Sequence, residues 1–129
     1  SNCKNRMFGL FSPVSAKASL DILKDVEGRS VAFLGFMGEL GEFAPQMHRE
    51  VGAYAAEKGI DLLICIGNHS DQMAAGAKDA GMLEVYRFDT QEEFWENGLD
   101  LLKKGDTILL KASRSMGFEK TVEKLQGVK

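Results

Sequence analysis

The sequence has few of the residues that build metal centres or disulfide frameworks. Its 129 residues include two cysteines, Cys3 and Cys65, and two histidines. No C-x-x-C pair or metal-ligand spacing links them. Cys65 lies inside a run of apolar residues, where a small buried thiol is the expected state. This cysteine usage favours a reducing compartment, so we expect a cytoplasmic domain without a metal site of its own.

Long apolar runs and concentrated positive charge are also missing. No stretch approaches the ~18 apolar residues that mark a membrane span, so we expect no membrane partner. The formal net charge of −3 gives no basic footprint for nucleic acid. Hydrophobic residues make up 44% and charged residues 27%, which excludes whole-chain disorder. The length predicts a single domain over residues 1–129.

Short apolar runs alternate with longer amphipathic stretches along the chain. The apolar runs lack polar alternation, which is typical of strands buried on both faces of a parallel sheet. Strands are predicted at 31–36, 61–66, 83–88 and 107–111, with a possible addition at 6–11. Helices are predicted at 15–26, 45–58, 70–80, 91–104 and 117–125. This alternation predicts a Rossmann-like three-layer α/β/α domain with a mostly parallel sheet.

Ligands of such a sheet collect at the carboxyl ends of its strands, so the loops there are the candidate binding segments. The loop at 35–42 has three glycines at a spacing of three, which permits a tight turn or a close approach. It lacks the G-x-G-x-x-G dinucleotide pattern, and a plain strand–helix connection explains it as well. Glu39 could contact a partner or a cation, or stay solvated. His48, on the next helix, could orient a phosphate or carboxylate, or simply pack on the sheet edge.

A second loop concentrates polar groups at the end of the last predicted strand. Lys111, Ser113 and Arg114 converge there, just before a helix amino terminus. The free backbone N–H groups of a helix start point the same way, which favours a bound carboxylate or phosphate. The loop is not a P-loop, because G-x-x-x-x-G-K-[ST] is absent. No nucleophile–base pair or paired carboxylates can be placed from spacing, so no catalytic residue is predicted.

At these loops the sequence resembles the Mur ligase family. Residues 31–42 are similar to the family's L-G-D-M-x-E-L-G, and residues 48–52 to its H-x-x-V/I-G. Residues 105–114 are similar to G-D-x-V-L-x-K-G-S-R, and residues 13–20 to the segment after N-A-N-P. The resemblance runs in order over residues 13–125. Within the family, the sequence resembles the C-terminal domain of the MurF-type branch.

The resemblance implies an ATP-dependent amide-forming ligase of peptidoglycan synthesis, and hence a part in cell shape and division. Such an enzyme joins D-alanyl-D-alanine to UDP-N-acetylmuramoyl-tripeptide through an acyl phosphate. ATP and Mg²⁺ are then bound mainly by a UDP-sugar domain and a P-loop domain that this chain lacks, so the isolated chain is expected to be inactive. Lys111, Ser113 and Arg114 would line the dipeptide and phosphate side, with His48 and Glu39 facing the cleft.

The sequence departs from the family pattern at three places, and the first and third of them motivate a competing hypothesis. Phe36 stands where the family has Asp, Ala112 replaces the Gly of K-G-S-R, and residues 7–12 replace the strand D-x-Y-N-A-N that contacts nucleotide. These changes are compatible with a free-standing Rossmann-like module that binds a small anion or nucleotide without ligase activity.

Overall fold

Five parallel strands form the central sheet, in the order β1-β5-β2-β3-β4. The computed structural model describes residues 12–113 and 116–127, and the backbone of residues 5–6. The strands are β1 (Asn5–Arg6), β2 (Ser30–Leu34), β3 (Leu62–Ile66), β4 (Val85–Phe88) and β5 (Thr107–Lys111). The helices are α1 (Pro13–Leu23), α2 (Ala44–Glu57), α3 (Ser70–Asp79), α4 (Gln91–Asn97) and α5 (Glu119–Gln126). Of the additional strand predicted at 6–11, only residue 6 lies within the described part of the chain.

The sheet is covered on both faces, as its uninterrupted apolar strands predicted. Successive side chains of a strand point to opposite faces. Ala32 and Leu34 of β2 therefore join the core formed with α1, α2 and α3. Val31 and Phe33 join the second core, formed with α4 and α5. The α/β Rossmann-like fold with a mostly parallel sheet and three layers is confirmed.

The fourth helix is shorter than the 91–104 predicted from the sequence. It ends at Asn97, and a short 3₁₀ turn follows. A Cβ atom on Gly98 would lie 2.4 Å from the Phe94 ring and 2.8 Å from the Phe88 ring. The backbone thus packs directly on aromatic side chains, at a residue that lowers helix propensity by ~1 kcal/mol. The predicted continuation to residue 104 is wrong because this contact bends the chain.

Two predicted strands are shorter in the structure as well. β2 ends at Leu34 rather than residue 36, because the backbone of Phe36 turns into bonds with another loop. β4 begins at Val85 rather than residue 83, and Leu83 is 90% exposed. Pairing with β3 starts only where Val85 meets Leu63. The segment directly after β2, which contains Phe36, is therefore a loop rather than a strand.

Helices α2 and α3 approach each other backbone to backbone through two glycines. A Cβ atom on Gly52 would lie 1.9 Å from the Met73 carbonyl oxygen. A Cβ atom on Gly76 would lie 2.0 Å from the Arg49 carbonyl oxygen. Neither position has room for a side chain, although glycine weakens a helix interior. The close contact fixes the middle of α3 against α2.

The amino edge of the sheet is held by a buried ion pair. Asp106 is 2% exposed and accepts hydrogen bonds from Arg29 Nε and Nη2 at 3.0 and 2.8 Å. It also accepts from the Lys103 backbone N–H at 2.8 Å. The same Arg29 donates to the Leu101 carbonyl at 2.5 Å. This pair ties the start of β2 to the turn before β5, at the end of the sheet opposite the candidate site.

Candidate functional site

Three loops meet at the end of the sheet where the parallel strands have their carboxyl ends, here called the carboxyl edge. They follow β2 (residues 35–43), β3 (residues 67–69) and β5 (described at residues 112–113 and 116–118). Each helix follows a strand of a parallel sheet, so the helix amino ends point to this same edge. Their partial positive charges favour anionic ligands there. This is the edge at which open α/β sheets bind ligands.

The loops after β2 and β5 are bonded into one unit. Gly35 N–H donates to the Lys111 carbonyl at 2.9 Å, so strand-like pairing continues one residue past β2. Ser113 N–H then donates to the Phe36 carbonyl at 2.9 Å. Phe36 N–H donates to Met116 Sδ at 2.9 Å. Any shift of one loop must therefore move the other.

The side chain of Met116 reaches all three loops. A Cβ atom on Gly35 would lie 2.5 Å from its sulfur, and one on Gly67 would lie 3.0 Å from its methyl carbon. Gly67 also has a φ of 85°, a left-handed conformation that favours glycine. The two glycines of the loops thus make room for one flexible methionine, which fills irregular space well.

His48 holds the loop between β2 and α2 from inside. It is fully buried, at 0% exposure. Its Nε2 accepts the Met37 backbone N–H at 3.0 Å, and its Nδ1–H donates to the Ala44 carbonyl at 2.7 Å. This pair of bonds assigns the neutral tautomer with hydrogen on Nδ1. Both ring nitrogens form hydrogen bonds with the protein's own backbone. The predicted contact of His48 with substrate stays a prediction.

Burial lowers the pKa of His48, with a smaller contribution in the same direction from the nearby charge of His69 and an opposing one from the Ala44 carbonyl. The unfolded histidine, with its pKa near ~6.5, takes up a proton more readily than the native one. We therefore expect stability to fall as the pH drops below about 6.5. His48→Gln should reduce that loss, measured as the urea midpoint at pH 7.5 and 5.5. His69→Gln, which retains His48, is the control, and an unchanged loss in His48→Gln would contradict the assignment.

Three rings lie together above the sheet edge. Phe36 stacks on His48 with ring centroids 5.8 Å apart and on His69 at 6.1 Å. The two imidazoles are 4.9 Å apart. His69 and Glu39 are the non-glycine residues with positive φ in the described part of the chain, at 65° and 61°. Such conformations cost free energy and cluster at functional sites.

The structure places the predicted site residues in three different environments. Lys111 ends β5, is 5% exposed, and has a pKa lowered by burial. Ser113 lies half-buried two residues further on, so these two belong to one segment. Glu39 is exposed on the β2–α2 loop, and His48 lies beneath that loop. Arg114 lies outside the described residues.

A hydrogen-bond chain behind the β5 loop was not predicted from the sequence. Trp95 Nε1–H donates to Thr121 Oγ1 at 2.8 Å, and Thr121 O–H donates to Gln91 Oε1 at 2.5 Å. Gln91 Nε2 then donates to the Met116 carbonyl at 2.5 Å. The partners are separated by 25 to 30 residues in the sequence, so no local sequence pattern indicates these bonds.

No group of three or more His, Cys, Asp or Glu side chains could hold a metal ion within the described ranges. Within the same ranges, no helix combines the length and apolar character that crossing a membrane would require.

Comparisons with known proteins agree on one family. The sequence model described as "Mur ligase, glutamate ligase domain" matches residues 12–114. The UDP-N-acetylmuramoyl-tripeptide–D-alanyl-D-alanine ligase of Synechocystis sp. is 37% identical over 114 residues, covering 86% of this chain and 24% of that protein.

Two solved structures show the same fold. A crystal structure of MurF from Acinetobacter baumannii superposes with a TM-score of 0.77 at 26% identity, over 89% of this chain and 26% of that one. The MurF ligase of Thermotoga maritima in complex with ADP gives 0.72 at 24% identity, over 90% and 26%. The chain thus spans about a quarter of the length of the relatives it matches. Since the sequence model covers well over half of the chain, the chain belongs to the Mur ligase family, in which it matches the glutamate ligase domain.

Proposed function

We propose that this chain is the acceptor-binding domain of an ATP-dependent ligase that joins D-alanyl-D-alanine to UDP-N-acetylmuramoyl-tripeptide. The family membership and the name of the Synechocystis relative support this assignment. In the proposed reaction the tripeptide carboxylate takes the γ-phosphoryl group of ATP to form an acyl phosphate, and ADP leaves. The dipeptide amine attacks the acyl carbon, the amide bond forms, and phosphate and the amine proton leave. A cytoplasmic location is part of the proposal, because the reaction consumes ATP.

The observation that carries the proposal is the buried Lys111 beside Ser113 at the carboxyl edge. Burial disfavours the charged ammonium, and an arriving carboxylate would favour it again. Charge-assisted hydrogen bonds of this kind are about twice as strong as neutral ones. Lys111 and Ser113 would hold the dipeptide carboxylate, which leaves the dipeptide amine directed toward the rest of the enzyme. Glu39 and His48 belong to the neighbouring loop that borders this position.

The described residues of this chain do not offer a magnesium site. The described ranges contain no cluster of three or more acidic or other metal-ligating side chains. No step through Mg²⁺ is therefore assigned to this domain. ATP, Mg²⁺ and the UDP-sugar belong in the proposal mainly to further domains of a complete enzyme, and ADP is present in the Thermotoga maritima relative.

Titration calorimetry of the chain with D-alanyl-D-alanine tests the proposed site. Lys111→Met retains the length and apolar stem of the side chain but removes the charge. We expect the dissociation constant to rise about tenfold or more, because a charge-assisted bond is lost. The matched control is Lys103→Met at the exposed Lys103, which should bind like the wild type.

Three outcomes would contradict the proposal. Equal affinity of Lys111→Met and wild type would remove Lys111 from the site. Robust ATP hydrolysis by the chain alone would contradict the assignment of nucleotide chemistry to other domains. Tight binding of a nucleotide or small anion without any dipeptide binding would favour the free-standing binding module instead.

A further inference from the structure

We propose that Gln91, held in place by Thr121 and Trp95, is a positioning residue for the candidate acceptor loop after β5. The inference rests on the proposed function for the role of that loop. Gln91 itself lies at the start of α4 and bonds to the Met116 backbone, so it acts through Met116 and not through contact with substrate.

Met116 is the point through which Gln91 acts on the site. Its carbonyl accepts from Gln91 Nε2, and its backbone N–H donates to the Ser113 carbonyl at 3.1 Å. Its sulfur accepts the Phe36 N–H. The position of Met116 therefore determines where Ser113 and Phe36 lie, and these two residues border the proposed carboxylate position.

The chemistry of the groups determines which one donates and which one accepts in each hydrogen bond from Trp95 to Met116. The Trp95 indole N–H can only donate, so the Thr121 hydroxyl must accept from it. The single hydrogen of that hydroxyl then goes to Gln91 Oε1. The amide oxygen of Gln91 is thus turned toward Thr121, which leaves its NH₂ group to face the Met116 carbonyl. The Met116 carbonyl can only accept, so it favours the same orientation, and without the hydroxyl the amide would lose the partner that holds its oxygen end.

Apolar contacts already attach α5 to the sheet without this polar chain. Val122 and Leu125 are buried in the same core as Phe94 of α4. Thr121 is fully buried at 0% exposure, where an unpaired hydroxyl would be costly. A threonine at this position gains nothing over valine for packing, and its hydroxyl is explained by the bonds to Gln91 and Trp95.

Thr121→Val and Thr121→Ser separate positioning from packing. The chain has a single tryptophan, so the Trp95 indole gives one NMR signal that reports on its hydrogen bond. Amide exchange at Ser113 and Met116 reports on the loop. The Gly67 N–H, bonded to the Phe88 carbonyl at 3.0 Å on the same edge, is the internal reference. Titration with D-alanyl-D-alanine gives the affinity.

In Thr121→Val both hydrogen bonds of the hydroxyl are lost, the one from Trp95 and the one that orients Gln91. We therefore expect a shifted indole signal and exchange at Ser113 and Met116 about tenfold faster relative to Gly67. We also expect dipeptide affinity to fall about fivefold or more from the same loss of order. Thr121→Ser, which keeps the hydroxyl, should restore all three. Thr107→Val makes the same chemical change at a buried threonine on the opposite edge and should leave the relative exchange and affinity unchanged.

Exchange at Ser113 and Met116 that rises no more than at Gly67 would overturn the proposal, as would failure of Thr121→Ser to restore it. Unchanged affinity in Thr121→Val, where the wild type binds, would also overturn it. If the wild-type chain binds no dipeptide, the proposed function fails, while the indole signal and the exchange ratios still decide whether Gln91 positions the loop.

Discussion

Gly52→Ala is expected to lower the free energy of unfolding by about 3 kcal/mol or more. The added methyl group would clash with a backbone carbonyl, which cannot move aside as a flexible side chain can. The added Cβ would lie 1.9 Å from the Met73 carbonyl oxygen, so α2 and α3 must separate. Separation exposes apolar surface between the two helices and displaces His48 from the loop it holds. Urea denaturation followed by circular dichroism measures the change.

The sign of this effect distinguishes packing from helix propensity. Alanine is a better helix former than glycine by ~1 kcal/mol, so propensity alone would make Gly52→Ala more stable. Ala53→Gly, at the next position of α2, provides the propensity control and should cost no more than about 1 kcal/mol. Gly76→Ala should match Gly52→Ala, since its Cβ would meet the Arg49 carbonyl at 2.0 Å. A Gly52→Ala chain as stable as the wild type would show that the helices are not in close contact.

Asp106→Ala is expected to cost about 3 kcal/mol, the usual loss when one partner of a buried ion pair is removed. The variant removes the carboxylate from the Arg29 guanidinium, which keeps its hydrogen bond to the Leu101 carbonyl. It also leaves the Lys103 N–H without its acceptor. The Arg29 side chain is 28% exposed and can regain some hydration, which keeps the loss below that of a fully enclosed pair. Urea midpoints measure it.

Asp100→Ala is the matched control for this effect. Asp100 lies in the same segment but is exposed, so its removal should change the free energy of unfolding by less than about 0.5 kcal/mol. Similar midpoints for Asp106→Ala and Asp100→Ala would mean that the ion pair contributes no net stability. Because the pair lies at the amino edge, Asp106→Ala should leave the dipeptide affinity of the folded fraction unchanged.

The fold was predictable because its signals are local. Uninterrupted apolar runs indicated strands buried on both faces, and the structure has them near the predicted positions. The start of α1 illustrates a signal that was present but underused. Ser12 caps the helix through a reciprocal bond pair with Ser15, and Pro13 occupies the first turn. Serine followed by proline favours a helix start there, two residues before the predicted one.

The site was predictable only in part, because its decisive contacts are not local. Lys111 and Ser113 could be placed at a strand end, since the strand itself was visible in the sequence. The bonds of His48 to Met37 and Ala44 depend on how the loop folds back over the helix. Thr121 had no signal at all, because its partner Gln91 lies 30 residues away on another helix.

Phe36 is attached to the protein through its backbone at both ends. Its N–H and its carbonyl are each bonded to the β5 loop, and its φ is not in the left-handed region. These two bonds hold the path of the loop through the backbone, and other side chains at position 36 would leave them in place. An aromatic residue can stand where the family pattern has aspartate without a change of fold. In evolutionary terms, the side chain at this position can change while the scaffold is preserved.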